Sequence, residues 1–204
     1  MKPTSIVFAV LVAIGASASS LPASAAPADS VPASGRLSFD VIRNGKDIGD
    51  YVVSFRGSGN DLDVSLSTDV MVKLPVIGVS AYRFKQQSTE TWRGGKLAGL
   101  SSTTDDNGTP HKISLGATSL VPASLWSADI VTSRQVLNTI DGSTDAISVR
   151  KIGTETVSTG SGPVKATHYA IGGGLNRELW YADNKLVHVR FAAEDGSTVD
   201  YALR

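Results

Sequence analysis

Leu62-Asp63-Val64-Ser65-Leu66-Ser67-Thr68-Asp69-Val70-Met71-Val72-Lys73-Leu74 alternates apolar and polar residues almost without a break. Every even position but Thr68 is apolar, while Asp63, Ser65, Ser67, Asp69 and Lys73 occupy odd ones. A helix would scatter these side chains around its circumference. A strand puts the apolar set on one face, because successive side chains point to opposite sides. One such strand does not fold alone: ordering each backbone residue costs roughly 1–2 kcal/mol, which offsets the gain from burying the apolar face. It needs a sheet of several strands over a shared core.

The same period extends in both directions. Upstream, Leu37, Phe39 and Val41 alternate, then Tyr51, Val53 and Phe55, with the turn signal Asn44-Gly45 between the two runs. Downstream, strands are predicted over 82–93, 96–104, 111–116, 147–152, 155–159, 165–171, 178–181, 185–192 and 197–203. Their separators are turn chemistry, such as Gly94-Gly95, Asp106-Asn107-Gly108, Asp183-Asn184 and Asp195-Gly196. Short loops between consecutive strands imply antiparallel pairing, since parallel pairs need long crossovers. One short helix is predicted within 122–131, where Pro122 could open a turn that buries Leu125 and Trp126. The expected fold is mainly β: a single curved antiparallel sheet of roughly ten strands, either a half-barrel or a closed barrel.

The first residues read as an export signal. Lys2 supplies the positive charge, Ile6 to Ile14 an apolar core, and Ala23-Ser24-Ala25 the small residues a signal peptidase requires. The core is far shorter than the roughly 20 residues needed to span a bilayer. Residues 1–25 are therefore expected to be removed, 26–35 to form a flexible leader, and 36–204 to fold as a single β domain. The expected location is the periplasm, reached by the general secretory route, with no membrane span after cleavage. Nineteen basic residues balance nineteen acidic ones, which argues against electrostatic binding to nucleic acid. With no cysteine, disulfides, thiolate metal sites and thiol nucleophiles are excluded.

The stretch from Tyr82 to Trp92 carries the chemistry of greatest interest. Its even positions are Tyr82, Phe84, Gln86, Ser88, Glu90 and Trp92, so polar groups share a face with aromatics. If that face looks inward, a carboxylate and an amide enter an apolar interior, which demands a network, a wet cavity or a ligand pocket. If the strand instead rolls over a rim, Gln86 to Glu90 meet water and Arg83 or Arg93 pairs with Glu90.

Other motifs are weaker. His111, His168 and His188 lack metal-ligand spacing, and the alternation places His168 and His188 toward water. No Gly-x-Ser-x-Gly elbow occurs. Gly172-Gly173-Gly174 precedes no helix and reads as a hairpin or bulge, and Asp105-Asp106-Asn107-Gly108 as a tight turn. Trp92, Trp126 and Trp180 could line a binding groove, but core packing is the default reading, since each neighbours apolar strand residues. Neither a metal nor a cofactor is expected.

Several signatures together resemble a family of exported bacterial proteins designated a domain of unknown function. They are Asn44-Gly45-Lys46-x-Ile48-Gly49, Tyr82-Arg83-Phe84, Glu90-x-Trp92-Arg93-x-Gly95-Lys96-Leu97 and Pro122-x-Ser124-x-Trp126. Tyr169-x-Ile171, Leu179-Trp180-Tyr181, Phe191-x-x-x-Asp195-Gly196-Ser197 and Tyr201 agree, so nearly the whole predicted domain is covered. Where that family has Trp-Tyr-Asp, this chain has Trp180-Tyr181-Ala182, with Asp183 one place later. The strand pattern is also similar to lipoprotein-carrier half-barrels, which hold acyl chains against an apolar concave face. The resemblance implies a curved β fold and an envelope location, and brings no catalytic residues. The leading expectation is a binding or carrier module for an apolar or amphiphilic ligand, contacted by Tyr82, Phe84, Gln86, Ser88, Glu90 and Trp92. The alternative is a structural or interaction protein with an envelope protein partner and a filled core. A hydrolase using Glu90 as general base ranks third.

Overall fold

The computed structural model describes residues 27–73 and 80–204. The expected signal segment, and Leu74 at the end of the decisive alternation, lie outside the described residues. The described chain forms β1 (Arg36–Arg43), β2 (Lys46–Ser58), β3 (Asp61–Lys73), β4 (Ser80–Arg93), β5 (Lys96–Asp106), β6 (Thr109–Leu115) and β7 (Val121–Pro122). After these come β8 (Gln135–Leu137), β9 (Thr144–Thr159), β10 (Gly162–Gly173), β11 (Arg177–Ala182), β12 (Lys185–Ala192) and β13 (Thr198–Leu203).

The strands lie in one sheet, ordered β6-β5-β4-β3-β2-β1-β13-β12-β11-β10-β9-β8-β7. Two antiparallel meanders, β1–β6 and β8–β13, are thus joined by the pairing of β1 with β13. The short β7 runs parallel to β8, a departure from the all-antiparallel expectation. β6 and β7 end the sheet without pairing to each other, so it is curved but not closed. Turn residues behave as their chemistry predicts. Asn44-Gly45 (φ 46° and 78°) and Asp183-Asn184 (φ 47° and 63°) place both central residues in the left-handed region, the conformation that matches strand twist in a two-residue hairpin.

Among the described residues the strands number thirteen, against roughly ten expected. Two expectations need correction. The predicted strands 147–152 and 155–159 are one, β9, because Ile152 bulges out between Lys151 and Gly153 and the ladder continues past it. The predicted helix within 122–131 is instead β7, a turn and a 3-10 helix, Ala128–Thr132, with the Ser127 hydroxyl capping the Asp129 N–H. The β-branched run Ile130-Val131-Thr132 disfavours a longer helix.

One face of the sheet carries the core. In β3, Leu62, Val64, Leu66, Thr68 and Val70 are buried while Asp63, Ser65 and Asp69 are exposed, as the alternation requires. Both meanders feed a single cluster, with Phe39, Val53 and Leu100 on one side and Leu179, Leu186 and Val189 on the other. A single sheet can bury one face against itself only by curling.

The space inside is filled by the chain between β6 and β9. Leu125, Trp126, Ile130 and Val136 from that segment join the same cluster, and Trp126 is 0% exposed. Its ring meets Trp92 and Phe55 edge-on, at centroid distances of 5.6 and 5.1 Å. Pro27–Ser30, within the expected flexible leader, forms a 3-10 turn with Pro27 and Ser30 buried. The Ala128 N–H donates to the Ser30 hydroxyl at 2.9 Å, which ties this turn to the inserted segment.

Candidate functional site

The six residues singled out on β4 do not stay together. Tyr82 sits at a rim, 37% exposed, and its hydroxyl donates to Asp106 at 2.9 Å. Phe84 is half-buried against the core. Gln86, Ser88, Glu90 and Trp92 face inward, with Ser88, Glu90 and Trp92 buried. Of the two geometries open from the sequence, the inward one holds. Arg93 donates instead to Asp63, at 2.9 Å, and Glu90 is 1% exposed, so no surface pair with Glu90 forms.

The inward polar strip is satisfied from within the protein. Register places Gln86 opposite Thr104 and Ser88 opposite Ser102 on β5, both of which are also buried. The Gln86 amide donates to the Thr104 hydroxyl at 3.1 Å and to the Thr139 carbonyl at 3.0 Å. Ser88 donates to Ser102 at 2.9 Å. The Thr139 carbonyl belongs to the turn between β8 and β9, so this network bridges the unpaired side of the sheet.

Glu90 is the hub of a second network. Its Oε2 accepts the indole N–H groups of Trp92 and Trp126, both at 2.9 Å. Burial pushes the carboxyl pKa up, while the Ser124 hydroxyl and the two indoles pull against that rise. Among the described residues no hydrogen bond of normal geometry reaches Oε1. The tripeptide Ser124-Leu125-Trp126 is gripped at each residue. Tyr51 donates its hydroxyl to the Ser124 carbonyl, Tyr181 donates to the Leu125 carbonyl at 2.6 Å, and Trp126 reaches Glu90. Leu125 has φ +67°, a conformation bulky residues rarely adopt and that costs roughly 1–3 kcal/mol. The surrounding bonds hold it there. Burial raises the pKa of Tyr51 and Tyr181, so both remain neutral donors. Near them Arg177 places its guanidinium carbon 4.1 Å from the Phe191 ring centroid, and burial lowers its pKa.

This arrangement is built to hold a chain segment. Glu90, 1% exposed, has Oε2 occupied by both indoles, so in this conformation that oxygen serves the segment. Among the described residues no group of three His, Asp or Glu side chains could hold a metal ion.

The opposite face holds a cluster that alternation alone does not reveal. His168, Trp180 and His188 stand directly opposite one another on β10, β11 and β12. His168 stacks on the indole at 4.1 Å and 14°, and His188 meets it edge-on at 4.8 Å. Expected to face water, both histidines are 14% exposed at the side chain. They lie on the outer side, but the large neighbouring ring covers them. Trp180 itself packs with Ala166 and Val187 in a small cluster apart from the main core. His168 reaches Glu155 at 3.1 Å and Glu178 at 3.5 Å, while His188 reaches Asp200 at 3.0 Å.

Gly172-Gly173-Gly174 leads from β10 toward β11, the hairpin expected, and the Gly108 N–H donates to Asp105 in the tight turn between β5 and β6. Two depressions open outward. One of about 770 Å³ lies across β2–β6, and one of about 790 Å³ sits beside Arg43, Asp69 and Asp195.

A family profile described as a domain of unknown function, DUF6134, matches residues 39–204. The chain belongs to the DUF6134 family. The match takes in both meanders and the inserted segment, including every residue of the Glu90 network. No significant match to a curated protein was found. A crystal structure of a "Beta-barrel-like Protein of Domain of Unknown Function DUF1849 from Brucella abortus" is similar to this DUF6134 chain. The two share 11% identity, with a TM-score of 0.48, over 83% of this chain and 96% of the other.

Proposed function

We propose that this DUF6134 protein is exported to the periplasm and serves there as an interaction module that meets its partner with its outer surface. The observation that carries the reading is Trp126, fully buried against Trp92 and hydrogen-bonded to Glu90, where an interior ligand would otherwise lie. A carrier for an apolar ligand would have to expel Ser124–Trp126 from a grip of three side chains. The residues expected to contact such a ligand are engaged by the protein itself: Gln86 with Thr139, Ser88 with Ser102, Glu90 with two indoles. Export is supported by Lys2, the apolar run to Ile14 and Ala23-Ser24-Ala25. Among the described residues no helix is long and apolar enough to cross a membrane.

Native mass spectrometry of the protein purified from the cell envelope tests both halves of this reading. The expected mass is that of a chain beginning at Ala26 with nothing bound. A stoichiometric lipid adduct would restore the carrier reading, and recovery of the uncleaved chain from the cytoplasm would overturn export.

A further inference from the structure

The outer face of β2–β6 is organised in rows. Ser54, Ser65, Thr89, Ser101 and Ser114 are paired strand to strand, so five hydroxyls on five adjacent strands line up, and Arg36 continues the row onto β1. The next row is Val52, Ser67, Gln87, Thr103 and Lys112. These two rows floor the depression of about 770 Å³. The rows beyond them are Asp50, Asp69, Lys85 and Asp105 on one side and Arg56, Asp63, Thr91 and Gly99 on the other, and the depression between is a trough. Most of the flanking charges are paired: Lys85 lies 3.6 Å from Asp69, Arg204 bonds Asp50, and Arg93 donates to Asp63 at 2.9 Å.

Charge on the floor is different. Arg36 and Lys112 are its two charged residues, and neither meets a carboxylate among the described residues. Arg36 lies along the row and donates to Ser54 at 3.1 Å. Among the described residues no protein group engages the hydroxyls of Ser65, Thr89, Ser101 or Ser114, all of which are exposed.

We propose that this trough binds an acidic polysaccharide strand laid across β2–β6. Each hydroxyl can donate and accept, which suits a chain bearing hydroxyls along its whole length. Five strands at roughly 4.8 Å spacing extend about 19 Å, enough for a short run of sugar rings. A β-strand partner is disfavoured because the strands between β2 and β6 already spend their backbone groups on their neighbours. Two cations are too few for nucleic acid, which needs many phosphate contacts. They match sparse carboxylates. The proposal names the partner for the outward-facing reading above and rests on it.

Titration of the 15N-labelled protein with tetragalacturonate, cellotetraose and inorganic phosphate tests it by amide shifts. Tetragalacturonate is expected to move amides of β2–β6 and to bind at least tenfold more tightly than cellotetraose or phosphate. The triple variant Ser65→Ala, Thr89→Val, Ser101→Ala should weaken it tenfold or more with an unchanged melting temperature. Arg36→Gln should weaken it several-fold and reduce its salt dependence. No shifts with millimolar tetragalacturonate, equal binding of cellotetraose, or wild-type affinity in both variants would overturn the proposal. Any of these could occur in a protein that is exported and empty, so failure here is separable from failure of the preceding reading.

Discussion

Two glutamates of this sheet each accept an indole N–H, one on either face. Glu90 faces inward, 1% exposed, and takes the N–H groups of Trp92 and Trp126. Glu155 faces outward, its side chain 52% exposed, and takes the N–H of Trp180 while also reaching His168. The chemistry is alike but the solvent is not. Inside, each lost partner leaves a buried polar group unsatisfied, and the pair becomes a structural joint between β4 and the inserted segment. Outside, water replaces whatever is removed, so the same contact orders a surface cluster and contributes little to stability.

Truncation at the inner joint should have the greatest consequence. Trp126→Ala removes the largest fully buried side chain and one donor to Glu90, and is expected to cost about 3–5 kcal/mol in urea unfolding. A loss below about 1 kcal/mol would mean that the interior does not depend on this segment, and the inside–outside contrast would collapse.

The inner carboxyl should also leave a signature in pH. Burial holds the Glu90 proton in the folded protein, whereas an unfolded chain releases a glutamate proton near about pH 4.3. The folded pKa is the higher, so this contribution is full below the unfolded pKa and is lost as pH rises through the folded one. Glu90→Gln should flatten that decline, as read from unfolding midpoints at successive pH values. Parallel wild-type and variant curves would show that the carboxyl ionises freely.

On the outer face the slope has the opposite sign. Desolvation lowers the His188 pKa against the pull of Asp200 and Glu155, with Arg190 acting alongside desolvation. Its contribution is full above the unfolded value, about pH 6.5, and is lost as pH falls through the depressed folded pKa. His188→Gln should remove this acid-side loss. A variant that still loses stability over the same range would place the titrating group elsewhere. Glu155→Gln should change stability by less than about 1 kcal/mol while altering Trp180 fluorescence. A larger cost would make the two glutamates equivalent and break the comparison.

The β3 alternation, the Asn44-Gly45 and Asp183-Asn184 turns and the sharing of one face by Gln86, Ser88 and Glu90 can all be read locally, whereas the inward course of that face cannot. Nor can the joint. Trp126 follows Glu90 by 36 residues, and no local pattern announces that the two meet. The one hint was that Glu90, on an apolar face, needed a donor. Likewise His168, Trp180 and His188 each read as an isolated residue, and only the register of three strands makes them a stack. The hydroxyl rows are invisible to a local reading for the same reason. Serine and threonine at outward positions look like ordinary solubilising residues until neighbouring strands bring them into line.

The sequence by itself determined that this is a mainly β protein, which strand faces are apolar, and where most hairpins turn. Those properties depend on residues one to four apart, whose geometry the backbone dictates directly. The tertiary structure alone decided that the sheet stays open, that its hollow is filled by its own 116–143 segment, and that each polar residue meets the partner it does. Those outcomes depend on register and curvature accumulated over thirteen strands, and on a single segment folding back across the unpaired side.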